Sequence, residues 1–135
     1  MWIEKIKKYA QIIGLIKINP PADASEIRNL KEIFGAIPCD LSKLLKELNG
    51  DNCVILSADE IIETNMRLRA LDYYMPLDCF LFFAFNGCGD YYGYKITKKG
   101  EISSDIFFWD HESDNRTWVV KGMDDFIAKY CGGEV

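Results

Sequence analysis

Between Pro76 and Gly122 the apolar residues recur at every second position, whereas upstream of Pro76 they recur at every third or fourth. That change of period constrains the fold more than any other feature. A strand sends successive side chains to opposite faces, while a helix returns to the same face once per turn. Cys79 to Phe85, Tyr92 to Ile96, Ile106 to Trp109 and Trp118 to Val120 therefore read as four strands. Asn86-Gly87 with Gly89-Asp90, and later Lys98-Lys99-Gly100, are turn sequences between them, which predicts an antiparallel meander.

Upstream, Trp2, Ile6, Tyr9 or Ala10 and Ile13 share one helical face, predicting an amphipathic helix over about residues 2 to 17. Asn19-Pro20-Pro21 ends it, because proline cannot continue a helix. Asp23 and Glu26 have the spacing of a capping box that opens a second helix, with Ile27, Leu30 and Phe34 inward and Gly35 as its stop. Asp40 reads as the cap of a third helix through Leu41, Leu44, Leu45 and Leu48, closed by Asn49-Gly50. Val54 to Leu56 reads as a short strand, and Ser57 with Glu60 caps a helix running to about Ala70. A last helix spans about Met123 to Tyr130 and stops at Gly132-Gly133. Helices, then strands, then a closing helix predict a single α+β domain over residues 1 to 135. Its centre is an antiparallel sheet of about four to six strands with flanking helices.

Bulk properties narrow the function. A hydrophobic share of 49% with 27% charged residues is that of an ordinary globular domain, and the longest strongly apolar run, Cys79 to Phe85, is far short of the ~20 residues of a membrane-spanning helix. No membrane association is expected. A net charge of −5 disfavours direct nucleic-acid binding and favours a basic protein partner, a nuclease being one such protein. The N-terminus lacks the small-residue cleavage site of a secretory signal. Five cysteines without a C-x-x-C pair, and one histidine, make a poor zinc set. They are expected to be reduced, mostly buried thiols in a cytoplasmic protein that needs no cofactor.

Three local patterns invite chemistry. FNGCGDYYGY resembles a glycine-rich phosphate cradle, but the glycine after Gly87 and Gly89 falls at Gly93, one place late, and a strand follows where a helix N-terminus is required. It reads instead as a hairpin shaped by Asn86, Gly87, Gly89 and Gly93. Asp110, Glu112 and Asp114 take positions one, three and five of a calcium loop, yet position six is Asn115 and position twelve is Lys121, so no metal site is expected. A hydrolase built on His111 with Asp110 or Glu112 lacks any recognised nucleophile signature, and no catalytic residue is assigned. His111 reads as a loop-edge residue, and Arg116 as the partner of a neighbouring carboxylate.

What remains is a solvent-facing patch of Asp90, Tyr91, Tyr92, Trp109, Asp110, Glu112 and Asp114, in which aromatics would supply binding energy and carboxylates would select a basic partner. Against this stands the simpler account that about half of these aromatics fill the core, as strand alternation requires.

The order of these residues resembles the SUKH superfamily, which contains the fungal Smi/Knr cell-wall regulators and many bacterial proteins. The resemblance rests on Asn86-Gly87, Gly89-Asp90, Gly93-Tyr94, Trp109-Asp110-His111-Glu112, Asp114 with Arg116, and Asp125-Phe126-Ile127. Upstream it includes Pro21-Ala22, Glu26-Ile27, Leu30, Ile37-Pro38, Leu41, Leu44-Leu45 and Asn49-Gly50, so that it spans about residues 20 to 131. Cys88 departs from the pattern, standing where a small residue is commoner. The resemblance implies a non-catalytic α+β domain. For a bacterial member it implies a cytoplasmic immunity protein that binds and neutralises a polymorphic toxin, many such toxins being nucleases; the alternative is a regulatory adaptor of the Smi/Knr type.

Overall fold

The computed structural model describes residues 1 to 135. In chain order the elements are α1 (Trp2–Ala10), α2 (Ala24–Phe34), α3 (Cys39–Glu47), α4 (Ala58–Arg69), β1 (Phe80–Phe85), β2 (Tyr91–Ile96), β3 (Ile102–Trp109), β4 (Arg116–Lys121) and α5 (Met123–Cys131). The strands form one antiparallel sheet in the order β1-β2-β3-β4, the α+β meander that the change of period predicts. No helix is long and apolar enough to cross a membrane.

Two helices start where capping boxes were expected. Asp23 Oδ1 accepts the Glu26 N–H at 2.8 Å while Glu26 Oε1 accepts the Asp23 N–H at 3.1 Å. Ser57 Oγ accepts the Glu60 N–H at 3.2 Å and Glu60 Oε1 accepts the Ser57 N–H at 2.9 Å. Each box satisfies donors that the helix itself leaves open.

Asp40 corrects the expectation of a third cap. α3 begins two residues earlier, at Cys39 after Pro38, without a side-chain cap. Asp40 instead accepts the Tyr94 hydroxyl at 2.7 Å and the N–H of Met123, in the first turn of α5, at 3.0 Å. It joins helix, sheet and the start of a distant helix. α1 is also shorter than expected, ending at Ala10. Beyond it the chain is drawn out beside residues 50 and 51, where Lys17 N–H donates to Asp51 O at 2.9 Å and Asn19 N–H to Gly50 O at 3.1 Å.

Each face of the sheet is covered. On one, Phe126 of α5 packs on Phe83 and Tyr92 with ring centroids 5.0 and 5.3 Å apart. On the other, Phe80, Phe82, Tyr91 and Trp109 form a run of touching rings, with Phe82 5.9 Å from both Tyr91 and Trp109. Gly93 makes room for Phe82 across the strand pair, since a Cβ there would stand 2.9 Å from Phe82 Cδ1 and 3.0 Å from Leu81 O.

The outer edge of β1 is closed by polar groups. Asn65, fully buried on α4, accepts the Phe82 N–H at 2.8 Å and donates to Phe82 O at 2.9 Å. Next to it the expected strand at Val54 to Leu56 shrinks to a single bridge, Ile55 to Ala84. Asp51 is the reason for the bend there: its Oδ1 accepts the amides of Cys53, Val54 and Ile55 at 2.9 to 3.0 Å, and its Oδ2 takes the Tyr130 hydroxyl. Burial and this carboxylate together push the Tyr130 pKa far above its ordinary value. All five cysteines are free, and none is in the core: Cys39 and Cys88 are exposed and the other three half-buried, which corrects the expectation of mostly buried thiols.

Candidate functional site

The hairpin between β1 and β2 is organised by one side chain. Asn86 Oδ1 accepts the amides of Cys88 and Asp90 at 2.8 and 3.1 Å, and its Nδ2 donates to Asp90 Oδ2 at 3.0 Å. Gly87 and Gly89 adopt φ of +84° and +93°, which side chains resist. Two of the loop's N–H groups are thus turned onto Asn86, and strand β2 follows directly. The stretch is a hairpin, with its Cys88 and Asp90 amides spent on Asn86.

Asp90 then reaches across to the loop between β3 and β4. Its Oδ1 accepts the His111 backbone N–H at 3.0 Å and meets His111 Nδ1 at 2.6 Å. Gly89 lies under the imidazole so closely that a Cβ would come within 2.8 Å of His111 Cε1. The Asp90 hydrogen bond raises the His111 pKa, helped by the negative charges of Glu112 and Asp110 against a smaller opposing effect of burial. Burial works against the charge on Asp90, but the His111 ring and amide and the Asn86 amide outweigh it and hold the carboxyl below its usual range.

A second clasp binds the same loop to residues 74 to 76. Asp114, at φ +58°, accepts the indole N–H of Trp109 at 2.7 Å and the Met75 N–H at 3.1 Å. Arg116 donates to Asp114 Oδ1 at 3.0 Å, to Met75 O at 2.8 Å and to Pro76 O at 3.0 Å, with its guanidinium 5.5 Å from the centre of the Phe80 ring. The expected pairing of Arg116 with a nearby carboxylate is present. Tyr74 donates its hydroxyl to His111 O at 2.7 Å and sets its ring edge-on to Trp109 at 4.9 Å.

These contacts redistribute the residues assigned to a partner. Trp109 is 1% exposed, Tyr92 7% and Tyr91 8%, so the expected solvent-facing aromatic patch is corrected: alternation sends these rings onto the two covered faces of the sheet. Asp90 and Asp114 are half-buried and spent on the two clasps. Glu112 is exposed and Asp110 half-exposed, with Asp110 Oδ1 accepting the Glu112 N–H at 2.9 Å. The large apolar side chains that do face water beside this loop are Tyr73 and Met75, at 73% and 69% exposure, and sequence reasoning missed both. Their only signal was Tyr73-Tyr74-Met75 standing just before Pro76, between Asp72 and Asp78.

The chemical capacity of the loop is limited by how it is wired. His111 pairs with Asp90, not with Asp110 or Glu112 as the hydrolase reading supposed. Ser113 Oγ, the hydroxyl of the same loop, accepts the Asn115 N–H at 3.3 Å. Asp90, Asp110 and His111 bring one ligand-type atom each within 4.8 Å of one another, but Nδ1 of His111 faces the Asp90 carboxylate at hydrogen-bond distance. A cleft of about 600 Å³ lies elsewhere, between α1, α3 and the start of α5. Its acids serve the helix seams: Asp124 accepts the Trp2 indole N–H at 2.6 Å, and Glu47 accepts the Ile3 N–H at 3.0 Å.

The sequence model of the SMI1 / KNR4 family (SUKH-1) matches residues 21–129, most of the chain. The protein belongs to that family. No curated protein sequence matches it. The SUKH-1 span takes in α2 to β4 and all but the last two residues of α5, including both clasps, while α1 lies ahead of it. Membership fits an immunity-protein or Smi/Knr-type role and a domain that acts through protein-protein interaction. Within this SUKH-1 domain the motif residues Asn86, Asp90, Trp109, His111, Asp114 and Arg116 are spent on holding two loops and residues 74 to 76 together at one end of the sheet.

Proposed function

We propose that this SUKH-1 domain is a cytoplasmic immunity protein that binds a basic polymorphic toxin domain and neutralises it by contact. The observation that carries the reading is the loop Asp110 to Asn115, which holds Glu112 and Asp110 toward solvent while Asp90, Tyr74 and Arg116 fix it from three sides. A charged surface already held in one conformation loses little freedom on binding, and its sign steers a basic partner toward it. The net charge of −5 acts in the same direction.

Co-expression with the toxin encoded beside its gene tests the proposal. Growth is expected to be restored and the two chains to co-purify. Unrescued growth with no complex overturns it. The family equally supports an adaptor of the Smi/Knr type; recovery of the chain with metabolic or signalling proteins, and no toxin gene nearby, would favour that second reading.

A further inference from the structure

Tyr73 and Met75 leave most of their side-chain surface in water, yet the backbone at Met75 and Pro76 is held firmly. Met75 N–H donates to Asp114 Oδ2 at 3.1 Å, and the Met75 and Pro76 carbonyls accept from Arg116 at 2.8 and 3.0 Å. Tyr73 packs against Tyr74 with ring centroids 4.6 Å apart and planes tilted by 44°, and Tyr74 is itself anchored to Trp109 and to His111 O. Exposed apolar side chains on an otherwise unattached loop are common; here a half-buried arginine and a left-handed aspartate hold the backbone at Met75 and Pro76, and Tyr74 backs Tyr73.

The charges around this segment are unequal in availability. Arg116 is consumed by Asp114 and two carbonyls and His111 is paired with Asp90, while Arg67, exposed on α4, has one amine turned onto the Tyr91 hydroxyl at 3.0 Å. The carboxylates of Asp72 and Glu112 are exposed, and that of Asp110 is half-exposed. The Tyr74 hydroxyl donates to the carbonyl of His111, the residue after Asp110, at 2.7 Å, which places the acidic loop beside the aromatic pair.

We infer that Tyr73 and Met75 are the apolar anchor of the partner-binding surface, that Asp72, Asp110 and Glu112 form its acidic rim, and that its occupant is a basic protein surface. The inference rests on the proposed immunity function and names the place where that function is exercised. Tyrosine supplies large contact area at small entropic cost, methionine adapts to an irregular partner, and a charged rim sets orientation and on-rate. A second copy of this chain is the less favoured occupant because each carries a net charge of −5. Trp118, 53% exposed on the open edge strand, offers a rival anchor, but its indole is bonded to Asp105 at 3.1 Å and the exposed cation Lys121 stands in the same strand.

The test is calorimetric titration with the toxin domain encoded by the adjoining gene, purified as an inactive variant. Tyr73→Ala is expected to weaken binding at least about tenfold and Met75→Ala about threefold or more, while Tyr73→Phe retains most of the affinity. Asp110→Asn with Glu112→Gln is expected to slow association and flatten its salt dependence. Trp118→Ala is expected to bind as the unmodified chain does, and near-ultraviolet circular dichroism confirms that each variant is folded. Tight binding left unchanged by both Tyr73→Ala and Met75→Ala overturns this inference and leaves the immunity function standing. Absence of binding by the unmodified chain overturns the immunity function and this inference with it. Self-association that Tyr73→Ala abolishes, seen by sedimentation, assigns the surface to a second copy and also overturns the inference.

Discussion

One carboxylate oxygen of Asp90 holds His111 at two points, its backbone N–H at 3.0 Å and its Nδ1 at 2.6 Å. The two residues are 21 positions apart, on the β1–β2 hairpin and the β3–β4 loop, so this contact fixes one loop against the other. The glycine before Asp90 and the carbonyl of His111 complete the arrangement, the first by leaving space for the ring and the second by accepting Tyr74.

His111 is the only histidine, so its titration is directly visible by NMR. Its pKa lies above the ordinary 6.5 and that of Asp90 below the ordinary 3.8. The contribution of His111 to stability is therefore complete below 6.5 and disappears as pH rises through its raised value, while that of Asp90 is complete above 3.8 and disappears as pH falls through its lowered value. The clasp is strongest between those two ordinary values. The imidazole midpoint is expected above 6.5, returning toward 6.5 in Asp90→Asn and in high salt. A midpoint at the ordinary value, indifferent to Asp90→Asn, would contradict the pairing.

Asp51 is a fully buried carboxylate that accepts four hydrogen bonds. Asp51→Ala would leave three amides and the Tyr130 hydroxyl without their acceptor in the interior. A loss of about 3–5 kcal/mol is expected in urea unfolding. Asp23→Ala, which removes only an exposed helix cap, is expected to cost about 1 kcal/mol.

Gly93→Ala tests the packing of the sheet. The new methyl group would meet Phe82 Cδ1 at 2.9 Å and the Leu81 carbonyl oxygen at 3.0 Å, and the carbonyl cannot move without disturbing the β1–β2 pairing. A destabilisation of about 1–3 kcal/mol is expected, with a lowered Tm.

Arg116→Gln is expected to release residues 74 to 76, because two of their carbonyls lose their donor and Asp114 loses its ion pair. Hydrogen exchange should accelerate at Met75 N–H while the amides of β1 and β2 stay protected. Unchanged exchange at Met75 would show that Arg116 does not hold the segment.

The sheet and most helix boundaries were legible because each rests on local chemistry: alternation for the strands, Asp23 with Glu26 and Ser57 with Glu60 for two helix starts. The failures occur where a distant group decides. Ile13 continues the helical spacing of α1, but beyond it the Lys17 and Asn19 amides are taken by the carbonyls of Asp51 and Gly50. Asp40 has the position of a cap and is claimed by Tyr94 and Met123. At the site, the sequence marked Asp90, His111, Asp114 and Arg116 as belonging together but not their pairing. It also could not tell buried Tyr91 and Trp109 from exposed Tyr73, since period two separates two faces without saying which of them another segment covers.

Chemical-shift mapping of the labelled chain, with the inactive toxin domain of the adjoining gene added stepwise, tests the central claim most directly. Perturbations are expected to concentrate at residues 72 to 78 and 110 to 115, at the end of the sheet held by the Asp90–His111 and Asp114–Arg116 clasps. Perturbations confined to the cleft around Lys5, Lys43 and Glu47, or to the open edge of β4, would contradict it.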